Sequence, residues 1–182
     1  MIDRVVTLTG PPGSGKSTAG ELLAERLHLE FHSAGKLFRA QAAHHRMDVE
    51  EFSRYAESHE EVDRTLDDQM VALARPGRVL DGRLTGAFCR RRGTLCYYLV
   101  VTAEAEERYR RIAQRDGISA SEATRRTRAR EESERERYLR YYGIDLEKES
   151  ADLTVDSTSL PQEQVAERLA DFLSARHPGG TR

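Results

Sequence analysis

Val5-Val6-Thr7-Leu8-Thr9-Gly10-Pro11-Pro12-Gly13-Ser14-Gly15-Lys16-Ser17-Thr18 joins a short apolar, β-branched run to a glycine-rich turn. The run reads as a buried parallel strand, because apolar and β-branched side chains follow one another without polar alternation. Residues 10–17 then fit the pattern G-x-x-x-x-G-K-[ST], and beyond them Ala19, Leu22, Leu23 and Leu27 recur at helical spacing. Strand, glycine turn and helix in that order form a phosphate-binding loop. Glycines let successive N–H groups point inward at phosphate oxygens, and the helix adds the positive end of its dipole. Lys16 supplies a compact charge to the β- and γ-phosphates, and Ser17 a hydroxyl ligand for Mg²⁺. Residues Gly10, Pro11, Pro12, Gly13, Ser14, Gly15, Lys16, Ser17 and Thr18 are therefore the expected binding loop for the nucleotide donor, ATP.

Reading outward, Leu29 to His32 gives a second short strand, and residues 35–73 read as helices with Leu37, Phe38, Met47, Phe52, Tyr55 and Val62 as core candidates. Arg75-Pro76-Gly77 breaks that pattern. Val79 to Asp81 is a brief strand and Leu95 to Val101 the clearest buried one. Glu104 to Arg115 and Ser119 to Tyr142 read as charged helices, Leu153 to Val155 as a last strand. Pro161, Val165, Leu169, Phe172 and Leu173 mark a closing helix before a fraying Pro178-Gly179-Gly180 tail. Strands alternating with helices imply right-handed crossovers and a parallel sheet covered on both faces. The fold class is α/β, three layers α/β/α of the P-loop NTPase type, with ligands at the carboxyl ends of the strands.

Composition narrows the function. A chain of 182 residues fits one domain, here 1–182. A net charge of −2 lacks the basic footprint of a nucleic-acid binder, so no nucleic-acid partner is expected. No apolar run approaches the ~18 residues that span a bilayer, so no membrane partner is expected and a cytoplasmic location is. Cys89 and Cys96 lack the number and spacing of a disulfide framework or zinc site and read as small apolar residues. His44 and His45, adjacent on a helix, diverge by about 100° and cannot chelate together. Of the 29 basic residues only Lys16, Lys36 and Lys148 are lysine, so a lysine here marks a special need.

Seven arginines lie between Arg125 and Arg140, interleaved with glutamates in the manner of a solvated helix with i,i+4 pairs. Arg130, Glu134 and Arg137, however, share one face by spacing and are expected to converge on one ligand. In phosphoryl transfer, arginines arriving on closure stabilise charge on the equatorial oxygens. A phosphate acceptor is already anionic and needs such arginines but no general base; a hydroxyl acceptor needs a base. The arginines are abundant, and Asp63, Asp67 and Asp81 are the carboxylates to consider as bases. Three readings stand at this point: transfer to a nucleoside monophosphate, transfer to a hydroxyl metabolite, and a nucleotide-dependent binding module that holds a polyanion.

The residues also resemble a known family. SAGKLFR (33–39), EEFSRYAE (50–57), EVDRTLD (61–67), LDGR (80–83), REESERERYLRYYGID (130–145) and DSTSL (156–160) are similar to segments of cytidylate kinases of the short archaeal type, over about residues 1–175. The resemblance implies ATP-dependent phosphorylation of CMP or dCMP by a monomer. It implies a five-stranded parallel core (1–32, 76–114 and 143–176), a helical acceptor-binding part at about 33–75 and a mobile lid at about 115–140. It places Gly35 and Arg39 at the CMP phosphate, Arg83 beside phosphate and pyrimidine, and Arg130, Glu134 and Arg137 at phosphate, ribose and transferred phosphoryl group. Lys16, Arg130 and Arg137 are then the catalytic residues. Asp156 would lie near adenine, and Asp81 would hold Mg²⁺-bound water beside Ser17. Lys36 is a further candidate phosphate contact. Lys16 stands where short archaeal-type relatives often have threonine, and Glu134 where longer relatives often have aspartate.

Overall fold

In the computed structural model, which describes residues 2–176, β1 (Val5–Thr9) leads through the glycine turn into α1 (Lys16–Arg26), then β2 (Glu30–Ser33). Three helices follow, α2 (Ala34–His44), α3 (Val49–Ala56) and α4 (Glu60–Ala72), before β3 (Arg78–Asp81), α5 (Thr85–Arg91) and β4 (Cys96–Thr102). The chain ends with α6 (Ala105–Asp116), α7 (Ala120–Tyr142), β5 (Leu153–Asp156) and α8 (Gln162–Arg176). The expected Pro178-Gly179-Gly180 tail lies outside the described residues.

The five strands form one wholly parallel sheet in the order β2-β3-β1-β4-β5. β1 is central because all five of its side chains are buried, so neither face can be left to water. On one face Leu8, Val79, Leu99 and Val101 pack against Leu23 of α1 and Val165, Leu169 and Leu173 of α8. The other face buries Val5, Leu80 and Cys96 beneath Met70 of α4 and Cys89 of α5. A separate cluster of Phe38, Ala42, Phe52 and Leu66 holds α2, α3 and α4 together. Among the described residues, no helix is long and apolar enough to cross a membrane.

The expected elements are present with shifted edges. β2 starts at Glu30 rather than Leu29, and β4 begins at Cys96, which pairs with Val5, leaving Leu95 66% exposed rather than buried. The buried stripe of α1 is Ala19, Gly20, Leu23 and Ala24, with Leu22 and Leu27 only half-buried. Leu37, Met47, Tyr55 and Phe172 are likewise half-buried at the edges of their clusters. α5 has no counterpart in the sequence reading. Seven residues carry too little periodicity to register, and the helix packs by its small residues: a Cβ on Gly86 would lie 2.3 Å from the Tyr98 ring. The helical stretch after residue 34 is divided at Asp48, whose side chain accepts from Glu51 N while its own N–H donates to the Glu51 carboxylate, a capping box.

Candidate active site

The loop after β1 is shaped by backbone that only glycine adopts. Gly10, Gly13 and Gly15 all have positive φ, and a Cβ on Gly10 would fall 1.9 Å from the Val101 carbonyl oxygen. Three of its carbonyls are held from outside. Arg83 Nη1 donates to Gly10 O at 2.7 Å, Arg108 Nη1 to Pro12 O at 3.0 Å, and Ser157 Oγ to Ser14 O at 2.7 Å. Those carbonyls, and the Ser14 amide, which donates to Pro11 O at 3.3 Å, are engaged within the protein, and the amides that open α1 are the ones a helix N-terminus leaves for an anion.

Lys16 opens α1 directly behind Gly15. Its ammonium donates to no acceptor among the described residues, and burial pushes its pKa down to about 8, with Asp81 opposing and Arg83 and Arg130 reinforcing that shift. A cation in that state is stabilised by an incoming anion. Ser17, one residue on, donates to Asp81 Oδ2 at 2.5 Å, and Ser33 donates to the same oxygen at 2.8 Å. Asp81, 2% exposed at the carboxyl end of β3, has no donor to Oδ1 among the described residues. The pair of one hydroxyl and one carboxylate oxygen fits Mg²⁺, which keeps several waters and takes only one or two protein ligands besides phosphate oxygens.

Across from the loop, Glu134 of α7 accepts from Arg83 Nε at 2.9 Å and from Arg130 Nε at 2.7 Å. Burial alone would raise the Glu134 carboxyl, but the guanidiniums of Arg130 and Arg83 more than offset this and hold it at about 2. Arg39, on α2, has no hydrogen-bond or ion-pair partner among the described residues. Arg39 is exposed at its surface, and its pKa is lowered by partial desolvation and by the nearby Arg115 and Arg130, with Asp81 and Asp116 opposing. Gly35 lies beside it, 3.5 Å from the position of a Cβ to Arg39 Nη1. Arg83, Arg130 and Glu134 are thus bonded together, and Lys16 and Arg39 lie within electrostatic range of Arg130.

Arg137 departs from that group. Its Nε donates to Asp63 Oδ2 at 2.7 Å, and its Nη1 to Ser53 O at 3.3 Å and Ser133 Oγ at 2.5 Å. With Arg137 2% and Asp63 5% exposed, the pair ties α7 to α3 and α4, so of the three α7 residues expected to converge, only Arg130 and Glu134 are bonded to one another. Shared helical phase did not decide the matter, because a long guanidinium reaches whichever buried carboxylate is near. Lys36 is also corrected: its ammonium pairs with Glu21 of α1 and faces solvent. Asp156 ends β5 and accepts from Thr158 N and Oγ1, at the loop that also carries Ser157.

Sequence reasoning missed Arg108, Ser157 and Glu131. Arg108 is one of several arginines in a charged helix, and no spacing rule singles it out; only its burial does. A cavity of about 720 Å³ lies beneath α7 on the outer side of the loop, lined among others by Pro11, Arg83, Tyr98, Arg108 and Glu131.

Cytidylate kinase of Archaeoglobus fulgidus is 40% identical over 165 residues, 89% of this chain and 90% of that protein. Cytidylate kinase of Pyrobaculum arsenaticum is 42% identical over 170 residues, 92% and 91% of the two chains. Among solved structures, shikimate kinase from Acinetobacter baumannii in complex with shikimate superposes with a TM-score of 0.62 at 18% identity, over 95% of this chain and 94% of that one, a likeness of P-loop kinase fold alone. The family model described as cytidylate kinase-like matches residues 5–159. Phosphate loop, arginine clamp and sequence kinship lead to one assignment: the chain belongs to the cytidylate kinase-like family.

Proposed function

We propose that this protein transfers the γ-phosphoryl group of ATP to the phosphate of CMP, giving CDP and ADP. The observation that carries the reading is the Arg83–Glu134–Arg130 clamp facing a phosphate loop whose Lys16 has no ion-pair partner among the described residues. The loop amides and Lys16 hold the β- and γ-phosphates. The second anion is met by Arg39, which has no ion-pair partner among the described residues, with Arg83 and Arg130 beside it. Glu134 keeps those two guanidiniums apart and aimed, and offers a carboxylate to a ribose hydroxyl.

An acceptor phosphate oxygen is already a nucleophile, so no side chain has to remove a proton from it. What the chain supplies is alignment of two polyanions that otherwise repel, and charge that follows the transferred group through a loose transition state. Ser17, with Asp81 behind it, would hold Mg²⁺, which when bound would supply charge to offset the donor phosphates. Helices α2 to α4 form the acceptor side, and α7 with the turn at 117–119 forms the lid, which excludes water on closing. Arg137 is assigned to holding those two parts together through Asp63.

The test is ADP release from ATP and Mg²⁺ across the common ribo- and deoxyribonucleoside monophosphates and a few hydroxyl acceptors, shikimate among them. CMP is expected to give the highest kcat/KM, and dCMP to be a second substrate. Turnover confined to a hydroxyl acceptor, or absent throughout, overturns the reading.

A further inference from the structure

Arg108 is 8% exposed and reaches three elements at once. Its Nε donates to Ala103 O at 3.2 Å at the end of β4, and its Nη1 to Pro12 O at 3.0 Å and to Glu131 Oε1 at 2.5 Å. The Cβ that Gly13 lacks would lie 2.5 Å from the Arg108 carbonyl oxygen, so α6 also presses its backbone against the loop. Several other ion pairs of α6 and α7 behave differently: Arg110–Glu107, Arg125–Glu122 and Arg135–Glu132 are local pairs with arginines more than half exposed, worth little at a surface. Glu131 is instead 23% exposed and bound to a residue 23 positions away.

The arrangement repeats one turn along α7. Arg83 joins Gly10 O to Glu134 as Arg108 joins Pro12 O to Glu131. Two guanidiniums therefore each bridge a carbonyl of the phosphate loop to a carboxylate of the same helix, along one wall of the cavity beneath it. Any displacement of α7 alters the partners that keep Pro12 and Gly10 carbonyls turned outward.

We propose that Arg108 is a positioning residue for the donor site, holding the Pro12 carbonyl outward and, through Glu131, making the shape of the phosphate loop depend on where α7 stands. This rests on the reading of the chain as an ATP-dependent kinase. Arg108 need not touch either nucleotide to act. A loop amide misplaced by about 1 Å costs on the order of 10²-fold in rate. The effect falls on the donor, because Pro12 belongs to the loop that holds ATP, whereas CMP is held by residues Arg108 does not contact.

The experiment compares Arg108→Ala, Arg108→Lys, Glu131→Ala, Glu131→Gln and the double variant Arg108→Ala/Glu131→Ala, each checked for a wild-type circular dichroism spectrum. ADP release gives KM for ATP, KM for CMP and kcat, and calorimetry gives the affinity for a non-hydrolysable ATP analogue. Arg108→Ala should lower kcat/KM for ATP about 10²-fold and weaken the analogue about tenfold, with KM for CMP changed less than threefold. Glu131→Ala should share part of that loss, and the double variant should be no worse than Arg108→Ala. Lysine, with one donor centre in place of the fork, should recover less than half of the loss on a logarithmic scale, and Glu131→Gln, which keeps the acceptor, most of it. Unchanged ATP parameters in Arg108→Lys, additive losses in the double variant, or equal damage to KM for CMP overturns the proposal. Wild-type protein that phosphorylates nothing overturns the kinase reading instead, and the two failures are distinct because the calorimetric arm needs no turnover.

Discussion

Ser17 Oγ and Asp81 Oδ2 stand 2.5 Å apart, joining the first turn of α1 to the carboxyl end of β3. Two residues 64 positions apart in the chain thus share one hydrogen bond at the point where the donor phosphates are to be neutralised. The register of β3 against β1, with Asp81 opposite Leu8, is what brings them together. Asp81→Asn keeps an oxygen for Ser17 but removes the charge. It should raise the Mg²⁺ concentration for half-maximal turnover at least about tenfold, with little change in KM for CMP; a Mg²⁺ titration of the initial rate decides.

Lys16→Ala should lower kcat/KM for ATP by at least ~10²-fold, comparable to losing one preorganised donor to a developing anion. The free protein adds a pH signature. With its pKa at about 8, the Lys16 ammonium is lost as pH rises through that value, so kcat/KM for ATP should fall above pH 8, approaching tenfold per unit. A flat profile between pH 7 and 10 contradicts the assignment.

Arg137→Ala leaves Asp63 buried without its cation and should destabilise the protein by roughly 3–5 kcal/mol. Replacing both partners, Arg137→Met with Asp63→Leu, should restore much of that loss, since the uncompensated carboxylate is gone. Urea denaturation of the three proteins measures it. Arg126→Ala, whose pairs with Glu122 and Glu50 are exposed, should shift stability by less than about 1 kcal/mol.

Asp67 supplies a test that depends on pH and not on substrate. Burial against α7 lifts its pKa from the ordinary 3.8 to about 7, with Asp63 and Asp68 adding to the shift and Tyr142 and Arg137 opposing it. The folded chain therefore holds a proton that the unfolded chain releases. The contribution of Asp67 to stability is full below about pH 4, declines at up to about 1.4 kcal/mol per unit as pH rises towards 7, and levels above it. Asp67→Asn should remove this slope and be more stable than the parent at pH 8, as read by thermal melts across that range.

How far the sequence alone reaches is clearest on α7. Arg125, Arg126, Arg130 and Arg137 look alike in a string of arginines and glutamates, and helical phase separates a face but not a fate. Arg130 goes to the clamp, Arg137 to Asp63, and Arg126 to a solvated pair, because each reaches a partner set by tertiary packing. The phosphate loop was legible because its signals are local: glycines at positions of positive φ, a β-branched strand before and a helical stripe after. Strand order was legible only as a class, since the sequence does not fix which of five short strands pairs with which. α5 escaped because seven residues packed by glycine, alanine and cysteine carry no periodic signal. Arg108 and Ser157 escaped because nothing nearby in the chain says that a distant carbonyl awaits them.

The bond from Ser157 to the Ser14 carbonyl spans 143 positions, and the strands beside β1 are drawn from residues 78–81 and 96–102. The phosphate loop is therefore translated before both strands that flank β1 and long before Ser157, which holds one of its carbonyls. A nascent chain stalled before residue 157 should have no tight hold on ATP, so nucleotide retention on stalled chains of increasing length would report when the sheet has closed around its first strand. An N-terminal fragment, however well it matches the loop motif, is on this account an incomplete receptor.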